Sequence, residues 1–179
     1  MEGALQKFKI DNKEFEIRKF DEKKDSVSEL TEILHRSYKR LADMGLRFMA
    51  THQDDEITKR RLQKGESFVV EHDKKLIACI TLYKSKGTNR CIWYNQEGVS
   101  YFGQFAVEPS YQQMGVGSKM MDFIESYAHE KQAKELSLDT SEEAQHLIEY
   151  YQKRGYRYIQ HHKWDEVNYR SVVMSKKIT

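Results

Sequence analysis

Polar and apolar positions alternate along KEFEIRKF, residues 13–20, the period-two signature of a strand with one buried face. The period then changes. Val27, Leu30, Leu34, Tyr38 and Leu41 recur at steps of three or four, which predicts an amphipathic helix. Ser26 and Glu29 have capping-box spacing at its start, and Gly45 marks its end. The loop LRFMATHQ (46–53) leads to a short helix over about 54–64, with Gly65 as the expected stop. SFVVEH (67–72) and KLIACITLY (75–83) read as a hairpin turning at Asp73-Lys74, and YFGQFAVEP (101–109) as the next strand. Between them, SKGTNRCIWYNQEGVS (85–100) is polar and irregular, a loop or insertion.

Val116, Met120, Ile124 and Tyr127 share one face of a helix running to about Gln132. ELSLDT (135–140) is a strand. Thr140-Ser-Glu-Glu143 has the spacing to cap a further helix, in which Ala144, Leu147, Ile148 and Tyr151 lie together and Gly155 ends the run. YRYIQ (156–160) and YRSVVMSKK (169–177) are the last strands, joined by HHKWDEVN (161–168). Strand-helix alternation combined with hairpins predicts an α/β protein with a mixed sheet and helices on both faces. No repeat or Pro/Gly-rich linker interrupts it, so residues 1–179 are expected to form one domain.

Composition removes several classes of function. Thirty basic residues against 28 acidic give a net charge of +2 without a basic stripe, so no nucleic-acid footprint is expected. Apolar runs such as LIACI (76–80) are too short to span a bilayer, and the N-terminal residues lack the apolar core of a signal peptide. Cys79 and Cys91 cannot build a disulfide framework. A cytoplasmic protein without membrane attachment is expected. The adjacent His161 and His162 read as a solvated loop pair, and no second cluster supplies metal-ligand spacing, so no metal is expected.

The chemistry concentrates in VEPSYQQMGVGS, 107–118. Gly115 and Gly117 stand at a helix start, directly after a strand and the only proline, Pro109. The first N–H groups of a helix have no internal acceptor, and glycine lets an anion approach the backbone. Ser118 separates Gly117 from Lys119, which excludes a P-loop, and Met120 stands where a dinucleotide fingerprint needs a third glycine. The pattern that remains is Q/R-x-x-G-x-G/A after V-x-P, which Gln112-Gln-Met-Gly115-Val-Gly117 completes.

The run FAVEPSYQQMGVGSKMMDFIE resembles the central motif of the GNAT N-acetyltransferase superfamily. LDTSEEAQHLIEYYQKRGY resembles that family's next strand and helix, where a tyrosine (here Tyr151) stands four residues before a Gly-aromatic pair (Gly155-Tyr156). The resemblance implies a GNAT-type acyl-CoA N-acyltransferase fold, a mostly antiparallel central sheet flanked by helices. It implies direct transfer of acetyl from acetyl-CoA to a primary amine in a ternary complex, without metal. Backbone N–H groups of Gln113, Met114, Gly115, Val116, Gly117 and Ser118 would hold the pyrophosphate, with Gln112 where arginine is more common. Phe105, Ala106 and Val107 are the strand positions for the pantetheine arm, and the N–H near Val107 would face the thioester carbonyl.

Tyr151 reads either as a core aromatic or, by the family spacing, as the acid that protonates the departing sulfur. Ala144 departs from an asparagine that the family often carries seven residues before the tyrosine. The base is unassigned; Glu97 and Tyr101 sit near the start of the central strand. The acceptor, a small-molecule amine or a peptide or protein amine, is left open, as is a homodimer. The loops expected to overhang it carry Phe48, His52, Trp93, Tyr94 and Trp164. A non-catalytic module binding CoA or acyl-CoA is the alternative reading.

Overall fold

The computed structural model describes residues 4–178. Its strands are β1 Gln6–Ile10, β2 Lys13–Lys19, β3 Glu66–His72, β4 Lys75–Lys84, β5 Val99–Val107, β6 Glu135–Ser141, β7 Arg157–His162 and β8 Ser171–Lys177. They form one sheet in the order β1-β2-β3-β4-β5-β6-β8-β7. Neighbours are antiparallel except β5 and β6. The helices are α1 Val27–Asp43, α2 Asp55–Gln63, α3 Val116–Glu130 and α4 Gln145–Lys153.

Both faces of the sheet are buried, which explains the unbroken apolar run of β4. On one face Leu30, Ile33 and Leu34 of α1 and Leu62 of α2 pack on Val69, Cys79 and Ala106. On the other, Met120, Met121 and Ile124 of α3, with Ile148 and Tyr151 of α4, cover Phe68, Ile80 and Phe102. Each fully buried aliphatic side chain contributes about 1.5–3 kcal/mol. Ser26 caps α1 by accepting from the Glu29 N–H (3.1 Å), and Asp54 caps α2 from the Ile57 N–H (2.8 Å).

Several expectations need correction. β1 was not anticipated; it pairs with β2 through a two-residue turn in which Asp11 and Asn12 both have positive φ, the chemistry of a tight hairpin. Thr140-Ser-Glu-Glu143 does not cap α4. Thr140 and Ser141 are claimed by ladder positions opposite Val172 and Ser171, and the N-cap is Ala144, without a side-chain bond. His161 and His162 are not in a loop: they close β7 against Val172 and Ser171. His162 packs on Trp164, with ring centroids 4.1 Å apart.

Gly65 follows α2 for a steric reason, since a Cβ there would collide with the Leu82 carbonyl oxygen. The 85–100 segment is ordered by Asn95, which accepts from the Asn89 N–H (2.9 Å) and donates to its carbonyl (2.7 Å). A 3-10 turn, Ile92–Asn95, then buries Tyr94 on the sheet.

Candidate functional site

The parallel pairing of β5 and β6 is confined to Val99–Tyr101 against Glu135–Ser137. Beyond it β5 runs on to Val107 and β6 to Ser141 without pairing to each other, so the strands splay. A cleft of about 1400 Å³ occupies the opening. The Glu108 N–H bonds to the Ile77 carbonyl of β4 (2.7 Å), and alternation along an antiparallel strand then turns the Val107 N–H toward the gap. The edge of β5 thus offers main-chain groups to an extended amide-bearing arm.

At the end of β5 the chain turns through Pro109–Tyr111 and reaches Gly115, the α3 N-cap, at φ 100°. A side chain would be strained in that conformation. Lys119 is the first residue whose N–H bonds back, to the Gly115 carbonyl (3.1 Å), and the N–H groups of Val116 to Ser118 have no intrahelical acceptor. The helix dipole adds positive potential at the same place.

Of the residues expected to hold acetyl-CoA, Phe105, Val107, Gln112, Gln113, Gly115, Gly117 and Ser118 line the cleft. The side chains of Ala106 and Val116 are buried in the core, so those residues, like Met114, could contribute main chain only. Gln112 spends its side-chain amide on the Val107 carbonyl (2.9 Å). The Tyr38 hydroxyl donates to the Phe105 carbonyl (3.1 Å), and burial pushes its pKa up to about 12.

Tyr151 lines the cleft with 8% of its surface exposed. It is wedged among Phe102, Tyr150 and Tyr156 at centroid distances of 6.1, 5.2 and 5.7 Å. Among the described residues its hydroxyl has no hydrogen-bond partner. Burial, reinforced by the neighbouring Tyr38 and Tyr150, raises its pKa well above 10, so it keeps its proton at neutral pH.

One residue was missed. Asp139 of β6 also lines the cleft, and its carboxylate accepts from the Tyr94 hydroxyl (3.0 Å), the Trp164 indole N–H (3.0 Å) and the Ser171 hydroxyl (2.8 Å). Two carboxylate oxygens offer about four lone-pair sites, so one remains, on Oδ1. The signal was present, a carboxylate between the apolar Leu138 and Thr140 near the end of the strand ELSLDT, just ahead of the Tyr151 helix. The three donors come from separate segments and could not be read together. Glu97, by contrast, is exposed and paired with Lys134 (3.8 Å), outside the cleft. Tyr101 stacks on Tyr94 at 4.1 Å.

Phe48, Tyr94 and Trp164 line the cleft as anticipated; Trp93 and His52 do not. Cys79 is fully buried and donates to the Gln104 carbonyl (3.2 Å), with burial pushing its pKa to about 12, which removes it as a nucleophile. Among the described residues no group of His, Cys, Asp or Glu could hold a metal ion, and no helix is long and apolar enough to cross a membrane.

The family model "Acetyltransferase (GNAT) family" matches residues 27–156, from α1 through the end of α4. This chain belongs to the GNAT family of acetyltransferases. It is an acetyl-CoA-dependent acyltransferase by that membership and by its relatives. Over 135 residues this GNAT chain is 31% identical to an S-(2-succino)cysteine N-acetyltransferase of Bacillus subtilis (strain 168), covering 73% of this chain and 78% of the relative. An S-alkylcysteine N-acetyltransferase of the same organism is 24% identical over 138 residues, 74% of each chain. In fold the chain matches a GNAT family acetyltransferase from Elizabethkingia anophelis with acetyl-CoA bound. That match has a TM-score of 0.65 at 14% identity and covers 92% of this chain and 98% of that one.

Proposed function

We propose that this GNAT enzyme transfers acetyl from acetyl-CoA to the primary amine of a small amino-acid acceptor of the S-substituted cysteine class. The observation that carries the reading is the splay of β5 from β6, which joins the glycine turn to Tyr151 and Asp139 within one cleft. The acceptor class is supported by the two relatives named for cysteine derivatives.

Acetyl-CoA supplies an activated thioester. The N–H groups from Gln113 to Ser118 bind its pyrophosphate, and the free edge of β5 orients its arm. The Val107 N–H donates to the carbonyl oxygen as it gains charge, an interaction worth ~3 kcal/mol in comparable oxyanion sites. An α-ammonium group, with a reference pKa near 8, is deprotonated in only about one molecule in ten at pH 7. Asp139, with its remaining lone pair, receives the acceptor amine and takes its proton as nitrogen bonds to carbon. When the C–S bond breaks, Tyr151 gives its proton to the sulfur.

Measuring CoA release from acetyl-CoA across S-alkylcysteines, polyamines and peptide N-termini tests the reading. Turnover is expected with the S-alkylcysteines, and Asp139→Asn should lower kcat/KM about 100-fold without weakening acetyl-CoA binding. Tight binding of acetyl-CoA with no turnover on any amine would establish the non-catalytic alternative instead.

A further inference from the structure

Beyond the transfer machinery, the cleft wall on the α1–α2 side contains a polar group of unusual construction. Opposite Ile80 of β4, strand β5 carries two residues, Gln104 and Phe105, between the pairs Thr81–Gly103 and Cys79–Ala106. This is a bulge, with Gln104 at φ 49°. A bulge re-aims a side chain, and here Gln104 points toward Gln53, in the turn before α2. Both glutamines are almost fully buried, at 2% and 0% exposure.

The hydrogen-bond directions in this group are forced. Arg61 of α2 is donor-only, and its Nη1 donates to Gln53 Oε1 (2.5 Å). Gln53 must therefore present its amide nitrogen elsewhere, and Nε2 donates to Thr58 Oγ1 (2.7 Å) and Gln104 Oε1 (2.7 Å). Gln104 is thereby left with its own NH2 turned away from Gln53, and that buried nitrogen has no partner among the described residues. A buried donor without an acceptor is destabilising.

Arg61 lies beside it. It is half-buried, and among the described residues no carboxylate pairs with it. Its Nη2 sits 3.7 Å from where a Cβ on Gly103 would stand, so the missing side chain leaves space against the guanidinium. Arg61 and Gln104 both line the cleft that contains Asp139 and Tyr151.

We infer that Arg61 and the Gln104 amide form a carboxylate-binding subsite for the acceptor, preset by Gln53, so that the substrate is an amino acid bound by its carboxylate rather than a simple amine or polyamine. This rests on the acetyl-transfer reading only for where the amine goes. A carboxylate gives the Gln104 nitrogen an acceptor and the Arg61 charge a counter-ion at once, and charge-assisted bonds to a guanidinium are about twice as strong as neutral ones. Asp139 would sit at the amine end of the same molecule.

The test is calorimetric, on the CoA-loaded enzyme, with S-butylcysteine and its carboxamide as paired ligands. The acid is expected to bind roughly 10- to 100-fold more tightly than the amide. Arg61→Met should reduce that ratio to within about threefold of unity, and comparing the same two ligands in both proteins cancels the amide's own effect on the amine. Arg61→Gln, which keeps a polar partner for Gln53, serves if the methionine variant does not fold. A wild-type ratio near one, failure to bind either ligand, or a ratio that survives both substitutions overturns the subsite. Acetylation is followed separately: a ratio that behaves as expected without acetyl transfer keeps the subsite and defeats the acetyl-transfer reading.

Discussion

Tyr151→Phe removes one oxygen from a buried ring and nothing else. The hydroxyl has no partner among the described residues, and the ring's contacts with Phe102, Tyr150 and Tyr156 involve its carbon framework, so Tm should move by no more than a few degrees. The kinetic effect follows from two acidities. A thiol of the cysteine kind has a pKa of about 8.5, while burial holds Tyr151 well above 10. Transfer from phenol to thiolate is therefore uphill, by ~1.4 kcal/mol per unit of difference, and a leaving group of this acidity needs only part of a proton. General acids contribute about 10²–10⁴ in rate, and this one belongs at the low end. We expect kcat to fall about 100-fold, ~2.7 kcal/mol, with the acetyl-CoA Kd unchanged. Because an acid must be protonated to act and this one's pKa is raised, wild-type kcat should show no alkaline decline from Tyr151 below about pH 10. Stopped-flow or thiol-trapping assays of CoA release, with calorimetry for binding, measure both quantities. A kcat within threefold of wild type would refute the acid role, and a fall in kcat matched by lost acetyl-CoA affinity would reassign Tyr151 to binding.

Gly117→Val should weaken acetyl-CoA binding at least about tenfold while the fold survives. Its Cβ would meet the Phe105 ring at 3.6 Å and the Val107 side chain at 3.7 Å, ordinary contacts, and the added methyls would project into the phosphate approach; unchanged affinity by calorimetry would remove the cradle. A second expectation concerns Arg18, buried and paired through Nη1 and Nη2 with Asp25 (2.8 and 2.7 Å) and with Glu71 (2.9 Å). Burial opposes the Asp25 charge, but the Arg18 bonds and the Asp21 N–H outweigh it and hold its pKa below the usual range; Arg18 likewise lowers Glu71. Depressed carboxylate pKa values give stability that is present above about pH 4 and is lost as pH falls through the folded values. Asp25→Asn should therefore cost about 3–5 kcal/mol at neutral pH, with a smaller further loss on acidification, measured by urea melts at pH 7 and pH 3.

Periodicity located the strands and helices that bury apolar faces, because that burial is what spacing records. It failed where pairing partners decide. Thr140 and Ser141 carry N-cap chemistry, yet the β8 ladder claims them, and His161 and His162 look like loop residues until β8 extends to meet them. The glycine turn proposed to hold the pyrophosphate was legible because a local run of backbone makes it. The acceptor side was not. Asp139 acquires its meaning from Tyr94, Trp164 and Ser171, tens of residues away, and Arg61 from Gln53, which in turn reaches Gln104 on a distant strand. The one local trace of that side is the bulge at Gln104, and a single extra residue in a strand leaves no period to read.

A crystal structure of the CoA complex tests the central claim most directly. The pyrophosphate oxygens should lie about 3 Å from N–H groups between Gln113 and Ser118, with the pantetheine arm running along β5 in the gap beside β6. A CoA molecule bound anywhere else, or an arm that does not follow β5, would contradict it.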